Sequence, residues 1–161
     1  MHLLLGSRSS ASNLEPPTLN LNMDLLSKIL SLFKTPAPDF SGILAAKVLD
    51  IQKHPNADRL RLITLDVGDK TVSPVVCGAF NFDVGDVVAL ALPGARIAKN
   101  IHADDHQPFT LGKAKIRGLE SQGMICAAFE LGIGPLSEKP EIMLLKTQVK
   151  PGSPFSADMI K

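Results

Sequence analysis

From Ser41 onward the chain is a series of short apolar runs: ILAAKVLDI, RLRLITLDV, TVSPVVC, VVALAL, PFTLGKAKIR and GMICA. Each is strand-length, rich in Val, Ile or Leu, and bounded by residues that turn a chain. The tetrapeptide Asp-Val-Gly-Asp occurs twice, at 66–69 and 83–86, each time between two apolar runs. Shared turn chemistry, with glycine supplying a positive φ, explains both copies without invoking a duplicated unit. Five or six such strands in so short a stretch suit a small closed β-barrel.

The residues before Ser41 follow a different pattern. Residues 1–22 read as a flexible leader, Ser-rich and broken by Pro16 and Pro17. In MHLLLGSRSSASN the apolar part is too short for a secretory signal. Within NMDLLSKILSLFK, the residues Leu25, Leu26, Ile29, Leu30 and Phe33 recur at helical spacing, with Asn22 or Asp24 as the cap. Residues 23–40 are therefore assigned to a short amphipathic helix and a Pro-rich linker starting at Thr35-Pro36, and the apolar stripe is expected to pack on the protein's body. The barrel is assigned to 41–155 and a tail to 156–161. No apolar run approaches the roughly 20 residues of a membrane helix, so a membrane role is not expected.

Composition narrows the function classes. With 161 residues, 45% hydrophobic and 20% charged, the chain has globular character rather than that of a disordered polymer. A formal net charge of +1 supplies no overall field for a polyanion, so any nucleic-acid binding must come from a local basic patch. Seven Phe with no Trp or Tyr argue against a platform stacking many single-stranded bases. Cys77 and Cys126 lie in apolar contexts and form no CxxC, which reads as buried, reduced thiols of an intracellular protein.

Three catalytic or metal constellations fail on spacing. His102 and His106 stand four apart, but Ala103 occupies the position where a metalloprotease helix needs Glu, and the flanks Asn100 and Pro108 suit a solvated loop. Ser121 has Gly123 two residues on, but Leu119 stands where a nucleophile elbow requires glycine. Cys126 sits among Met124, Ile125 and Ala127 with no neighbouring base, and nothing places His54, the only histidine near a carboxylate (Asp58) in a strand-bounded turn, beside Ser121. Neither a metal nor another cofactor is expected.

What remains is basic. Lys113, Lys115 and Arg117 alternate along one expected strand and would project from one face, while Leu111, Ala114 and Ile116 fall mainly on the other. A second cluster, Lys53, Arg59 and Arg61, brackets the turn His54-Pro55-Asn56-Ala57-Asp58.

Three strings, KHPNADRLRLITLDVG (53–68), VVCGAFNFDVGDVVALALPGA (75–95) and PFTLGKAKIRGLESQGMICAAFELGIG (108–134), closely resemble the tRNA-binding OB-type domain near the start of the bacterial phenylalanyl-tRNA synthetase β chain. Stand-alone tRNA-binding proteins share this module. The resemblance implies a mainly β fold, a five-stranded Greek-key OB barrel with short peripheral helices. It implies that Lys53, Arg59, Lys113, Lys115 and Arg117 build a tRNA-contacting surface, with Ser121 and Met124 at its rim; Arg61 and Lys99 are expected to add to that surface. It also implies that His54, Pro55, Asn56 and Asp58 shape the turn from strand one to strand two, Pro55 fixing the bend and Asn56 or Asp58 closing it. Two positions depart from the family: Phe80-Asn81 stands in place of Pro-Asn, and Gly112 replaces a common lysine.

The expected function is a non-catalytic, cytoplasmic tRNA-binding module, a fragment or relative of the synthetase β chain. Its expected partners are tRNA, together with the synthetase α subunit or other β-chain domains. Two alternatives are a stand-alone homodimeric tRNA-binding or chaperone-like protein, and a scaffold domain with little RNA contact.

Overall fold

The computed structural model describes residues 22–34, 37–139 and 141–161; the expected leader, apart from Asn22, and the Thr35-Pro36 junction lie outside these. The chain divides into two units, 1–36 and 37–161. In the first, helix α1 spans Met23–Leu32, and the Asn22 side chain caps it by accepting from the Asp24 amide at 3.3 Å.

Among its described residues the second unit holds ten strands: β1 (Ile43–Lys53), β2 (Arg61–Asp66), β3 (Thr71–Cys77), β4 (Val87–Ala91), β5 (Arg96–Ile97), β6 (Phe109–Thr110), β7 (Ala114–Ile116), β8 (Leu119–Ser121), β9 (Met124–Ile125) and β10 (Leu144–Leu145). The main sheet runs β10-β4-β1-β2-β3, with β9 also on β4. Strand β1 serves two neighbours. Residues 43–47 pair with β4 and 47–53 with β2, and the β1–β2 register shifts between Val48 and Asp50. A bulge of this kind bends a strand and lets one element turn the corner of a barrel. Closure comes from the segment around β8 and β9. The Gln122 amide donates to the Pro74 carbonyl at 2.9 Å and the Val76 amide to Ser121 Oγ at 2.9 Å, while β9 pairs with β4. The circuit β1-β2-β3-(β8/β9)-β4 is the expected five-stranded OB barrel.

Strand β4 shows why VVALA lacks polar alternation: all five residues are buried. Val88 and Leu90 join Val48, Ile63, Leu65, Val75 and Ile125 in one core. Val87, Ala89 and Ala91 join Ile43, Ile97, Leu131, Leu145 and Phe155 in a second core on the opposite face. Both Asp-Val-Gly-Asp copies turn at a left-handed glycine, Gly68 at φ 89° and Gly85 at φ 96°, as the shared-turn reading expects. Their hydrogen bonds differ: Asp66 accepts from the Gly68 amide, whereas Asp86 accepts from the Asp83 amide.

Two segments depart from the sequence reading. PFTLGKAKIR divides into β6 and β7, because Leu111 exchanges backbone bonds with Gly94 and Ala95 and the chain then leaves that pairing at Gly112 to enter a separate hairpin. Arg117 (φ 48°) and Gly118 (φ 95°) form the two-residue turn of that β7–β8 hairpin, both with the positive φ that matches the twist of paired strands. Residues 156–161, read as a tail, instead return to the body. Ile160 bridges Leu145, and the Lys146 amide donates to Met159.

Glu130 is buried, with one carboxylate oxygen accepting from the Ala127 amide at 2.8 Å. Burial raises its pKa above the ordinary 4.5; the Ala127 bond and the charge of His102 only partly offset this. Unfolding releases the carboxyl to ionise near 4.5, so this group's contribution to stability is fully present below that pH and falls as pH rises through the native value. Glu130→Gln keeps an acceptor for Ala127 and carries no charge. Its thermal midpoint is expected to exceed that of the parent at pH 7, with the difference vanishing near pH 4; a constant difference across that range would contradict the assignment.

Candidate nucleic-acid interface

The turn after β1 is fastened to a hairpin some sixty residues away. His54 is buried, and its Nδ1 accepts from the Asn56 amide at 3.1 Å. That leaves Nε2 as the donor, and it reaches the Ile116 carbonyl at 3.3 Å. Asn56 Nδ2 donates to the Arg117 carbonyl at 3.2 Å. The two side chains thus hold the β7–β8 hairpin against the turn. Pro55 lies between them, and the turn closes through His54 N to Leu60 O at 3.1 Å. Asp58 does not close it; its carboxylate pairs with Lys53 at 2.7 Å.

This clasp sets the turn that carries Lys53 and Arg59 against the hairpin that carries Lys113, Lys115 and Arg117. Lys53 at the end of β1 and Lys113 just before β7 each meet a carboxylate, Asp58 and Glu120 respectively. Glu120 also accepts from Gln122, and these donors, Gln122 first and Lys113 next, lower its pKa. Both pairs are exposed, so little free energy ties either lysine to its present partner. Among the described residues Arg59, Lys115 and Arg117 have no carboxylate partner, and Arg59 and Lys115 are exposed. Lys115 occupies the middle of β7, opposite Glu120, and Arg117 sits at the hairpin turn beyond the strand.

Other residues expected at the surface have different occupations. Arg61 turns toward the 79–82 loop: Nε and Nη2 donate to the Ala79 carbonyl and Nη1 and Nη2 to that of Phe82. The Ser121 hydroxyl is buried; it accepts from the Val76 amide and donates to the Gly123 carbonyl at 2.8 Å, so it stitches the barrel. Met124 is half-buried against the second core. Lys99 places its ammonium 4.9 Å from the Phe129 ring, on the loop that follows β5. Sequence reasoning missed Glu120 among the lysines; the signal that could have found it is Arg117-Gly118, a two-residue turn that sets Glu120 opposite Lys115.

An apolar groove of about 1290 Å³ adjoins the face. Leu60, Gly78 and Ala79 line it, as do Ala114 and Ile116 of β7. His106, from the paired-histidine loop, donates from Nδ1 to the Asn100 carbonyl and packs edge-on against Phe129. Both cysteines are free and buried, and burial raises both thiols, that of Cys126 well above its usual range. Neither is therefore a nucleophile at neutral pH.

Comparison with known proteins shows the family of the chain. Residues 43–154 match the family described as "Putative tRNA binding domain". The chain is 44% identical over 112 residues to the phenylalanine–tRNA ligase beta subunit of Chlamydia pneumoniae, covering 70% of this chain and 14% of that protein. It is 40% identical over 132 residues to the beta subunit of Wolinella succinogenes, covering 82% of this chain and 15% of that one. The chain thus spans about one seventh of the length of these relatives. A crystal structure of a MetRS-related protein from Pyrococcus horikoshii aligns with TM-score 0.50 and 16% identity, over 71% of this chain and 88% of that one, and shares the fold.

The placement of Ser121 separates a structural hydroxyl from a contacting one. Ser121→Ala leaves the buried Val76 amide without its acceptor, which costs about 1–3 kcal/mol. Denaturant unfolding is expected to show that loss while RNA affinity stays at the parent value; weakened affinity in an equally stable protein would place the hydroxyl at the RNA.

Proposed function

The chain belongs to the tRNA-binding domain family, and on that premise we propose that its barrel is a non-catalytic tRNA-binding module acting in the cytoplasm within the machinery that charges tRNA with phenylalanine. The observation that carries this reading is the clasp of His54 and Asn56 on the hairpin carbonyls, which ties the turn bearing Arg59 to the hairpin bearing Lys115 and Arg117, three cations without a carboxylate partner among the described residues. Such a cluster suits the evenly charged backbone of a folded RNA, recognised by shape and phosphate spacing rather than by extended base readout. Lys53 and Lys113 join the face by exchanging Asp58 and Glu120 for phosphate oxygens. Arg61 contributes indirectly by holding the loop beside it, and no residue of the face performs a chemical step.

About four phosphate contacts give a log–log salt slope of about −3. Titration of a labelled tRNA at several salt concentrations measures it; a flat response, or no binding at low salt, overturns the reading. Lys115→Ala combined with Arg117→Asn, where asparagine tolerates the left-handed turn position, is expected to bring the slope to about −1.5 with unchanged thermal unfolding. A folded double variant with the parent's affinity and slope would move the interface elsewhere.

A further inference from the structure

The loop joining β3 to β4 presents an aromatic ring that the fold does not use. Phe82 is 2% exposed and packs in the barrel core, whereas Phe80 is 59% exposed. The Arg61 guanidinium is shared between them, with Cζ 4.2 Å from the Phe82 ring centroid and 4.8 Å from that of Phe80. Its donors are already taken by the Ala79 and Phe82 carbonyls. The residue between the two rings is fixed as well: Asn81 Nδ2 donates to the Ile142 carbonyl at 2.9 Å and Asn81 Oδ1 accepts from the Ile142 amide at 3.0 Å. Phe80 is therefore a surface ring held over a cation on a loop pinned on both sides, so little conformational freedom remains to be lost when something stacks on it.

We propose that Phe80 is a stacking platform for one unpaired base of the bound RNA. The proposal rests on the tRNA-binding reading and extends it from phosphate contacts to a base contact. Three observations favour a base over an apolar protein segment. The ring lies over a guanidinium, which suits a neighbour whose backbone is anionic. Arg59, exposed and without a carboxylate partner among the described residues, precedes Leu60 in the same turn, and Leu60 packs near Gly78 of the platform loop. Leu60, Gly78 and Ala79 line the groove whose lining also includes Ala114 and Ile116, so the loop that carries Phe80 and the strand that carries Lys115 both contribute to one depression. The proposal lays a strand of RNA along that groove. One platform is also what a chain without Trp or Tyr can supply, and base–aromatic stacking is tolerant of sequence.

The test uses the same labelled tRNA with Phe80→Ala and Phe80→Trp. Removing the ring is expected to weaken binding about five- to hundred-fold while the salt slope stays at the parent value, since no phosphate contact is lost. Phe80→Trp is expected to keep the parent's affinity within about twofold. Because the chain has no other tryptophan, its emission reports on this site alone, and saturating tRNA should quench it and shield it from acrylamide. Parent-like affinity in Phe80→Ala, or tryptophan emission indifferent to saturating tRNA, overturns the platform and leaves the phosphate face standing. Failure of the parent protein itself to bind tRNA at low salt overturns both. The Phe80→Trp readout holds even if Phe80→Ala proves unstable.

Discussion

The basic face depends on a buried imidazole. His54 takes a proton donor from its own turn at Nδ1 and is thereby committed to donate from Nε2 across to Ile116, so one ring joins two segments of the chain. Asn56 adds a second bond to the neighbouring carbonyl of Arg117. A short two-stranded hairpin is marginal on its own in water. Docked through two carbonyls at its tip, β7–β8 gains a fixed place, and the cations at its end and in its middle gain a fixed distance from Arg59. Electrostatic recognition of a polyanion needs that fixity more than it needs total charge, which in this chain is nearly zero.

The barrel beneath gives the clasp something rigid to stand on. With β4 buried on both faces, the sheet is the shared wall of two cores, so neither side can slide without disrupting the other. The Ser121 hydroxyl belongs to the same scaffold. It closes the barrel between β3 and the hairpin's second strand, and so fixes the base of the hairpin as His54 fixes its tip. Arg61 does comparable work for the loop bearing Phe80. The proposed surface thus rests on three polar side chains, His54, Ser121 and Arg61, each making at least one hydrogen bond to a backbone atom of another segment.

That division of labour sets what the sequence discloses. The strand-length runs, the turn glycines of both Asp-Val-Gly-Asp copies and the barrel itself are local properties of the chain, and they read correctly. The break within PFTLGKAKIR does not, because it is caused by Leu111 pairing with Gly94 and Ala95, a tertiary contact that overrides a continuous β pattern. The roles of Arg61 and Ser121 are illegible for the same reason. A polar residue beside a basic cluster looks like part of it until its partners are known, and those partners lie 18 and 45 residues away. The pairing of Lys53 with Asp58 is the intermediate case: the two are close in sequence, yet only the turn's geometry decides that Asp58 meets the lysine rather than the backbone.

The central claim is that residues distant in sequence form one RNA-contacting face because a clasp holds them together. Backbone amide chemical shifts, followed as unlabelled tRNA is titrated into isotope-labelled protein, test this directly. Residues 53–61 and 113–119 are expected to shift together along one binding curve, while the opposite turns at 66–70 and 150–153 stay unchanged. Shifts confined to only one of the two basic segments, or centred on 66–70 and 150–153, would contradict it.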